Sequence, residues 1–396
     1  MSDLFLTGIG QLTTNTGPPL NDAVVAIESG LVTYAGPASD APDQVGRRHD
    51  CEGRAVIPGF VDAHTHLVFA GDRSDEFARR LAGESYPDIA AAGGGILATV
   101  ASTRNATDDE LFQLAAARVW QMIRTGTTTL EIKSGYGLDR ATELRQLEVG
   151  RRIGEKLPVT VKTTFLGAHS IPPEYRTDRQ GYIDFLVEDM LAAAAPHADY
   201  CDVFVEEGVF TVDEARRIFE RGAELGLGAR VHAEQLSHTG GAQLAAEIGA
   251  VSADHLDHAT EDDVRALAAS GVAAVLVPGA SYTLRSGHAP APSLLEAGCI
   301  VALATDCNPG TSYFESMAPI LSLAVVQMGL TVEQAITAAT LGGAHSLGFS
   351  DRGYIAPGAV GDIVVLDAPS AAHLAYRPGA NLVRQTFKSG TEIDSV

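Results

Sequence analysis

The chain has 396 residues, enough for one barrel-sized core plus a small companion unit. Its 28 basic and 50 acidic residues leave a net charge of −22, which argues against nucleic acid and anionic membranes as partners. The four cysteines, Cys51, Cys201, Cys299 and Cys307, follow no paired spacing and fit a reducing cytoplasm better than a disulfide framework or a thiolate metal site.

Met1-Ser2-Asp3-Leu4 carries no basic segment leading into a long apolar stretch, so no secretory leader is expected. Alternating runs at Leu4 to Thr7, Ala23 to Glu28 and Leu31 to Ala35 predict short strands, separated by turns such as Gly17-Pro18-Pro19. From Thr127 the pattern changes to apolar, β-branched runs: Thr127 to Ile132, Val159 to Leu166, Tyr200 to Val205, Ala229 to Val231, Ala250 to Ala253, Ala273 to Val277 and Ile300 to Ala304. Between them, Asp108 to Arg124, Asp213 to Leu225, Gly240 to Ile248 and Glu261 to Ala269 have helical spacing. Such alternation predicts a parallel sheet covered on both faces, and about eight units favour a (β/α)8 barrel of the α/β class over an open sheet. No Gly-x-Gly-x-x-Gly follows the first strand, which weakens a dinucleotide-binding reading. Strand patterns return at Gly361 to Asp367 and Leu382 to Lys388. Residues 1–57 and 352–396 are therefore expected to form one small β-sandwich domain, and residues 58–351 the barrel. No apolar run is long enough to span a bilayer.

Asp62-Ala63-His64-Thr65-His66 closes the apolar run Ala55 to Val61. On an extended strand His64 and His66 share a face, about 7 Å apart, and form half of a divalent-metal site. His169, His232, His255 and Asp306 each follow an apolar run of their own, where the working residues of a barrel sit. A single histidine at a strand end is usually a packed residue; five with one aspartate at one mouth point to a metal. His64, His66, His232 and Asp306 are the expected ligands, with Asp306 also the base and His255 standing behind them. Three imidazoles and a carboxylate suit zinc or iron, leave a position for water, and serve hydrolysis at a carbon bonded to nitrogen. His49, His197, His238, His258, His288, His345 and His373 show no ligand spacing, and Cys307 is expected to face away from the metal.

Pro58 to His66 resembles the opening signature of the amidohydrolase superfamily. Gly93-Gly94-Gly95-Ile96, Lys133-Ser134-Gly135-Tyr136-Gly137, Gly167 to Tyr175, Ser252 to Leu256 and Ala304 to Gly310 extend the resemblance to its imidazolonepropionases. That resemblance implies hydrolytic ring opening of 4-imidazolone-5-propanoate to N-formimino-L-glutamate in histidine breakdown, by a cytoplasmic enzyme with one zinc or iron ion per chain. Position by position it makes Arg73, Tyr136, His169, Gln235 and Thr311 substrate contacts, with Asn308 and Gly310 near the product's carboxylates. Arg73 then clamps the propanoate as the local cation an acidic surface requires, and His169 hydrogen-bonds the ring carbonyl. His169 thus joins Asp306 and His255 among the expected catalytic groups. Where some members carry glutamate this chain has Gln235, which binds through its amide but is no base. Lys133 is expected to be an ordinary lysine, Glu234 structural, and Gly93 to Gly95 part of a loop near the mouth. Barrels of this type are commonly dimeric, so a homodimer is expected. A purine or pyrimidine deaminase on the same scaffold and an inactive scaffold protein are the competing readings.

Overall fold

A computed structural model of the chain describes residues 3–44, 46–84 and 93–393. Strands β1 (Leu4–Leu12), β2 (Leu20–Glu28), β3 (Leu31–Pro37), β4 (Arg47–Asp50) and β5 (Ala55–Pro58) open the chain. They join β14 (Ile363–Leu366), β15 (Val383–Lys388) and β16 (Thr391–Ile393) from its far end. The eight strands hydrogen-bond into one continuous sheet, β16-β15-β14-β5-β1-β2-β3, with β4 beside β1. β1 makes this possible by pairing with β4 through Leu4 to Thr7 and with β5 through Gln11 and Leu12. The strands pack around a core of Leu6, Ile9, Val25, Ile27, Val56, Ile363, Val365 and Phe387 and form the small β-domain built from both ends of the chain, hydrogen-bonded without a break. β4 and β16 were not expected, because Arg47-Arg48-His49-Asp50 carries no apolar face to announce it and Thr391–Ile393 is only three residues long.

The remaining strands are β6 (Phe60–Asp62), β7 (Thr127–Lys133), β8 (Thr160–Ala168), β9 (Tyr200–Val205), β10 (Gly228–Ala233), β11 (Ser252–His255), β12 (Ala273–Leu276) and β13 (Val301–Leu303). Each pairs in parallel with the next in chain order, the arrangement that alternating strands and helices impose. The ring closes beyond β6 and β13: Asp306 N donates to His64 O at 2.9 Å and His66 N to Cys307 O at 3.0 Å. Asp62 ties the same seam, accepting from Thr305 N at 3.0 Å and Thr305 Oγ1 at 2.6 Å. The barrel is therefore joined through the segments that carry the predicted ligands.

The covering helices follow their sequence cues. The helix Asp108–Arg124 buries Leu111, Ala115, Val119 and Met122, spaced three and four apart on one face. Thr107, Thr211, Thr260 and Thr331 each close a capping box with the side chain three residues on, satisfying the first free N–H groups of their helices. Fully buried side chains such as Phe165, Tyr182, Leu186 and Leu294 make up the core between strands and helices, each worth about 1.5–3 kcal/mol of burial. Among the described residues no helix is long and apolar enough to cross a membrane.

Candidate metal centre and active site

Five predicted side chains meet at the C-terminal mouth of the barrel. His64 and His66 follow β6, His232 lies near the end of β10, His255 ends β11 and Asp306 follows β13. Their donor atoms fall into two buried trios that share His64: His64, His66 and Asp306 form one, His64, His232 and His255 the other. In the first trio His64 Nε2 and His66 Nε2 are 3.2 Å apart, and Asp306 Oδ1 lies 3.5 and 3.4 Å from them. A tetrahedral ion with bonds of 2.0–2.1 Å needs donor separations of about 3.3 Å, so this triangle matches one. His232 joins through the second trio, its ring centroid 4.5 Å from that of His64 and 5.6 Å from that of His66.

Two carboxylates orient these rings. His64 Nδ1 lies 2.7 Å from Asp254 Oδ2 and donates to it, leaving a bare lone pair on Nε2. His232 Nδ1 makes an oblique contact of 2.9 Å with Asp202 Oδ2. Burial, the Lys133 charge and neighbouring imidazoles hold His64 and His232 well below the usual histidine range, and burial does the same for His66. All three are neutral and can bind an ion without first losing a proton. Burial pushes His169 and His255 down to about 4.

The backbone is strained at the ends of three barrel strands, β10, β11 and β13. Glu234, His255, Leu256 and Asp306 have φ of +54°, +78°, +65° and +49°. Such conformations cost about 1–3 kcal/mol each in non-glycine residues and cluster where side chains must be aimed. Glu234 explains its own: its carboxylate accepts from Thr239, Gly240 and Ala242 N–H groups and holds the following loop, the structural role expected of it. Glu234, His238 and Asp263 also approach one another, but Asp263 is taken up by Thr260 and Gln243. That trio is a loop anchor.

The predicted substrate contacts surround the centre. His169 stacks on His66 with centroids 5.2 Å apart, and Tyr136 packs against both at 5.5 and 5.9 Å. His169 Nδ1 donates to Gly135 O at 3.0 Å, so its neutral ring presents an acceptor at Nε2. A hydrogen bond to a carbonyl, as expected from the sequence, would need a second proton on the ring. Arg73 is engaged edge-on by Glu76, with Nε 3.0 Å from Oε2 and Nη2 against Oε1, leaving Nη1 toward the 306–311 loop. Glu76 also accepts from Gly95 N at 2.7 Å, tying the Gly93 to Gly95 turn to Arg73. Asn308 spends its side chain on that loop, accepting from Gly310 N and Thr311 N at 2.8 Å and donating to Asp306 O at 2.7 Å. A Cβ on Gly310 would sit 2.5 Å from Arg73 Nη1, so any larger residue there requires the guanidinium to shift. Gln235 is buried just beyond the end of β10, and Cys307 points into an apolar cluster with Leu67 and Val68, away from the ligands.

Sequence reasoning missed the groups beneath the centre: Asp202, Asp254, Glu131 and Arg230, all buried within strands. The available signal was a charged residue interrupting an apolar run, as Asp202 does in Tyr200-Cys201-Asp202-Val203-Phe204-Val205, because burial of charge requires a partner.

The amidohydrolase family model matches residues 55–393. An imidazolonepropionase of Salinispora arenicola is 50% identical over 398 residues, covering 98% of both chains. One from Symbiobacterium thermophilum is 46% identical, covering 98% of this chain and 96% of its own. Among solved structures, a guanine deaminase from C. acetobutylicum superposes with a TM-score of 0.76 at 15% identity, over 99% of this chain and 100% of the other. An adenosine deaminase from Xanthomonas campestris with bound zinc gives 0.73 at 21%, over 99% and 92%. The two structures establish the fold alone. By the family match and by identity over almost its whole length, the chain belongs to the amidohydrolase family and, within it, to the imidazolonepropionases.

Proposed function

We propose that this chain hydrolyses the cyclic amide of 4-imidazolone-5-propanoate to N-formimino-L-glutamate, with His64, His66, His232 and Asp306 holding one zinc or iron ion. The observation that carries the reading is the buried triangle of His64 Nε2, His66 Nε2 and Asp306 Oδ1, with edges of 3.2–3.5 Å, in a chain akin to imidazolonepropionases throughout its length. When bound, the ion supplies Lewis acidity that activates water at neutral pH and polarises the amide carbonyl.

The protein's own groups do the rest. Asp306 takes the proton of the attacking water at Oδ2, the oxygen turned away from the His64–His66 pair, and passes it to the departing ring nitrogen. His255, neutral and buried, accepts a hydrogen of that water and orients it. His169 accepts a ring N–H at Nε2, and Tyr136 and the Gln235 amide complete the ring's polar contacts. Arg73 meets the propanoate through its Nη1–Nη2 edge, because Glu76 occupies the other. Asn308 holds Gly310 and Thr311 in the shape that admits the carboxylates.

The chain acts on a small molecule in the cytoplasm, as a homodimer without nucleic-acid or membrane partners. Four free, buried cysteines support the reducing compartment, and twofold pairing is the commonest oligomer. Light scattering tests the dimer. The function is tested by following the imidazolone's ultraviolet absorbance with the purified, metal-analysed chain. Loss of absorbance without ammonia supports ring opening; ammonia release from a purine or pyrimidine would favour a deaminase instead. No turnover by protein holding one ion per chain would refute the assignment.

A further inference from the structure

The barrel interior below the metal centre is charged where such barrels usually hold layers of branched apolar side chains. Lys133, from the second barrel strand β7, is fully buried, and its Nζ lies 2.7 Å from Asp202 Oδ2 on β9, 2.8 Å from Glu131 Oε1 and 3.5 Å from Asp254 Oδ2 on β11. The two aspartate oxygens that Lys133 reaches are the ones facing the ligand rings: Asp202 Oδ2 toward His232 Nδ1, and Asp254 Oδ2 toward His64 Nδ1. Arg230 completes the group at 3.2 Å from Asp254 Oδ2 and 3.8 Å from Glu131 Oε1. Two cations therefore face three carboxylates in a region closed to water. Removing Lys133 would leave three buried carboxylates with one cation, and Asp202 would lose the only cation in contact with it among the described residues.

We propose that Lys133 is a positioning residue for the ion: one ammonium fixes both aspartates, and they in turn fix the proton and the ring orientation of His64 and His232. An ion would then be held tightly because of a side chain that never touches it. The arrangement also accounts for Lys133 as an unmodified lysine, since three carboxylates around Nζ call for a positive charge and would repel a carbamate. This rests on the reading that His64 and His232 are ligands.

The test is metal affinity of the folded protein, measured by chelator competition with zinc, together with the visible spectrum of the cobalt(II) form. K133M is expected to bind zinc at least tenfold more weakly, in the range that supporting partners of metal ligands command, and to shift the cobalt bands; K133R should recover most of the affinity. K133M/E131Q removes one charge of each sign while leaving both aspartates in place, and it serves if K133M does not fold; its loss is read against E131Q alone, because Glu131 Oε2 also accepts from Thr65 N at 3.2 Å, between His64 and His66. A loss smaller than tenfold in whichever of these lysine-to-methionine variants folds overturns the proposal. Wild-type protein that binds no zinc would instead overturn the ligand assignment beneath it.

Discussion

Gly310→Ala probes the placement of Arg73 without touching Arg73. The new Cβ would stand 2.5 Å from Arg73 Nη1 and 3.0 Å from its Cζ, against an ordinary contact of at least 3.4 Å, so the guanidinium must retreat by ~0.9 Å. Retreat is opposed by the two contacts that pin the other edge to Glu76. An arginine displaced by about that much loses a charge-assisted hydrogen bond to the substrate carboxylate, worth about 1.5–3 kcal/mol, or roughly ten- to a hundredfold in affinity. We expect KM for the imidazolone to rise by about that factor, with kcat within about threefold and metal content unchanged, because Asp306 and the histidines do not move. Steady-state kinetics and elemental analysis on the same preparation check it. A KM within twofold of wild type would refute the contact between Arg73 and the propanoate; a fall in bound metal would show that the effect runs through the 306–311 loop.

His232→Ala should give folded protein, by circular dichroism, that retains less than one tenth of the metal and no measurable turnover; full metal content would remove His232 from the ligand set. Burial pushes Asp257, which accepts from Ser281 Oγ at 2.7 Å, up to about 7. Because the folded value exceeds the unfolded one, its contribution to stability is present at low pH and is lost as pH rises from about 4 through 7. Asp257→Asn should therefore match wild type in melting temperature only below about pH 4 and exceed it by a margin that widens up to about pH 7, and parallel curves would contradict this. Burial also raises all four thiols, Cys51 and Cys201 to about 12, so native protein at pH 8 should resist maleimide while denatured protein takes up four equivalents; rapid native labelling would show that a thiol is accessible.

The barrel was readable because its strands are short, apolar and evenly interrupted by helices: the runs at 127–132, 200–205 and 273–277 lie within a residue of β7, β9 and β12. The site was readable where chemistry concentrates in one short segment, as at His64 and His66, or where a histidine ends an apolar run. What stayed hidden depends on closure. Nothing local to Lys133, Asp202 or Asp254 says that three alternate strands bring them together, because their meeting is a property of the ring. The proton arrangement of His169 was likewise invisible, since it is decided by a backbone carbonyl at Gly135, 34 positions away. β4 escaped for the opposite reason: it is held by pairing with β1 and has too little buried surface to mark its sequence.

The seam between the first and last barrel strands has a kinetic consequence. His64 and Asp306 are bonded through their backbones as well as facing one another across the proposed cation position, so an ion seated there would act as a clasp on a hoop. Springing the hoop open at that point and letting the ion go are one event, and the lifetime of the bound ion should track the rate at which the two ends of the barrel part.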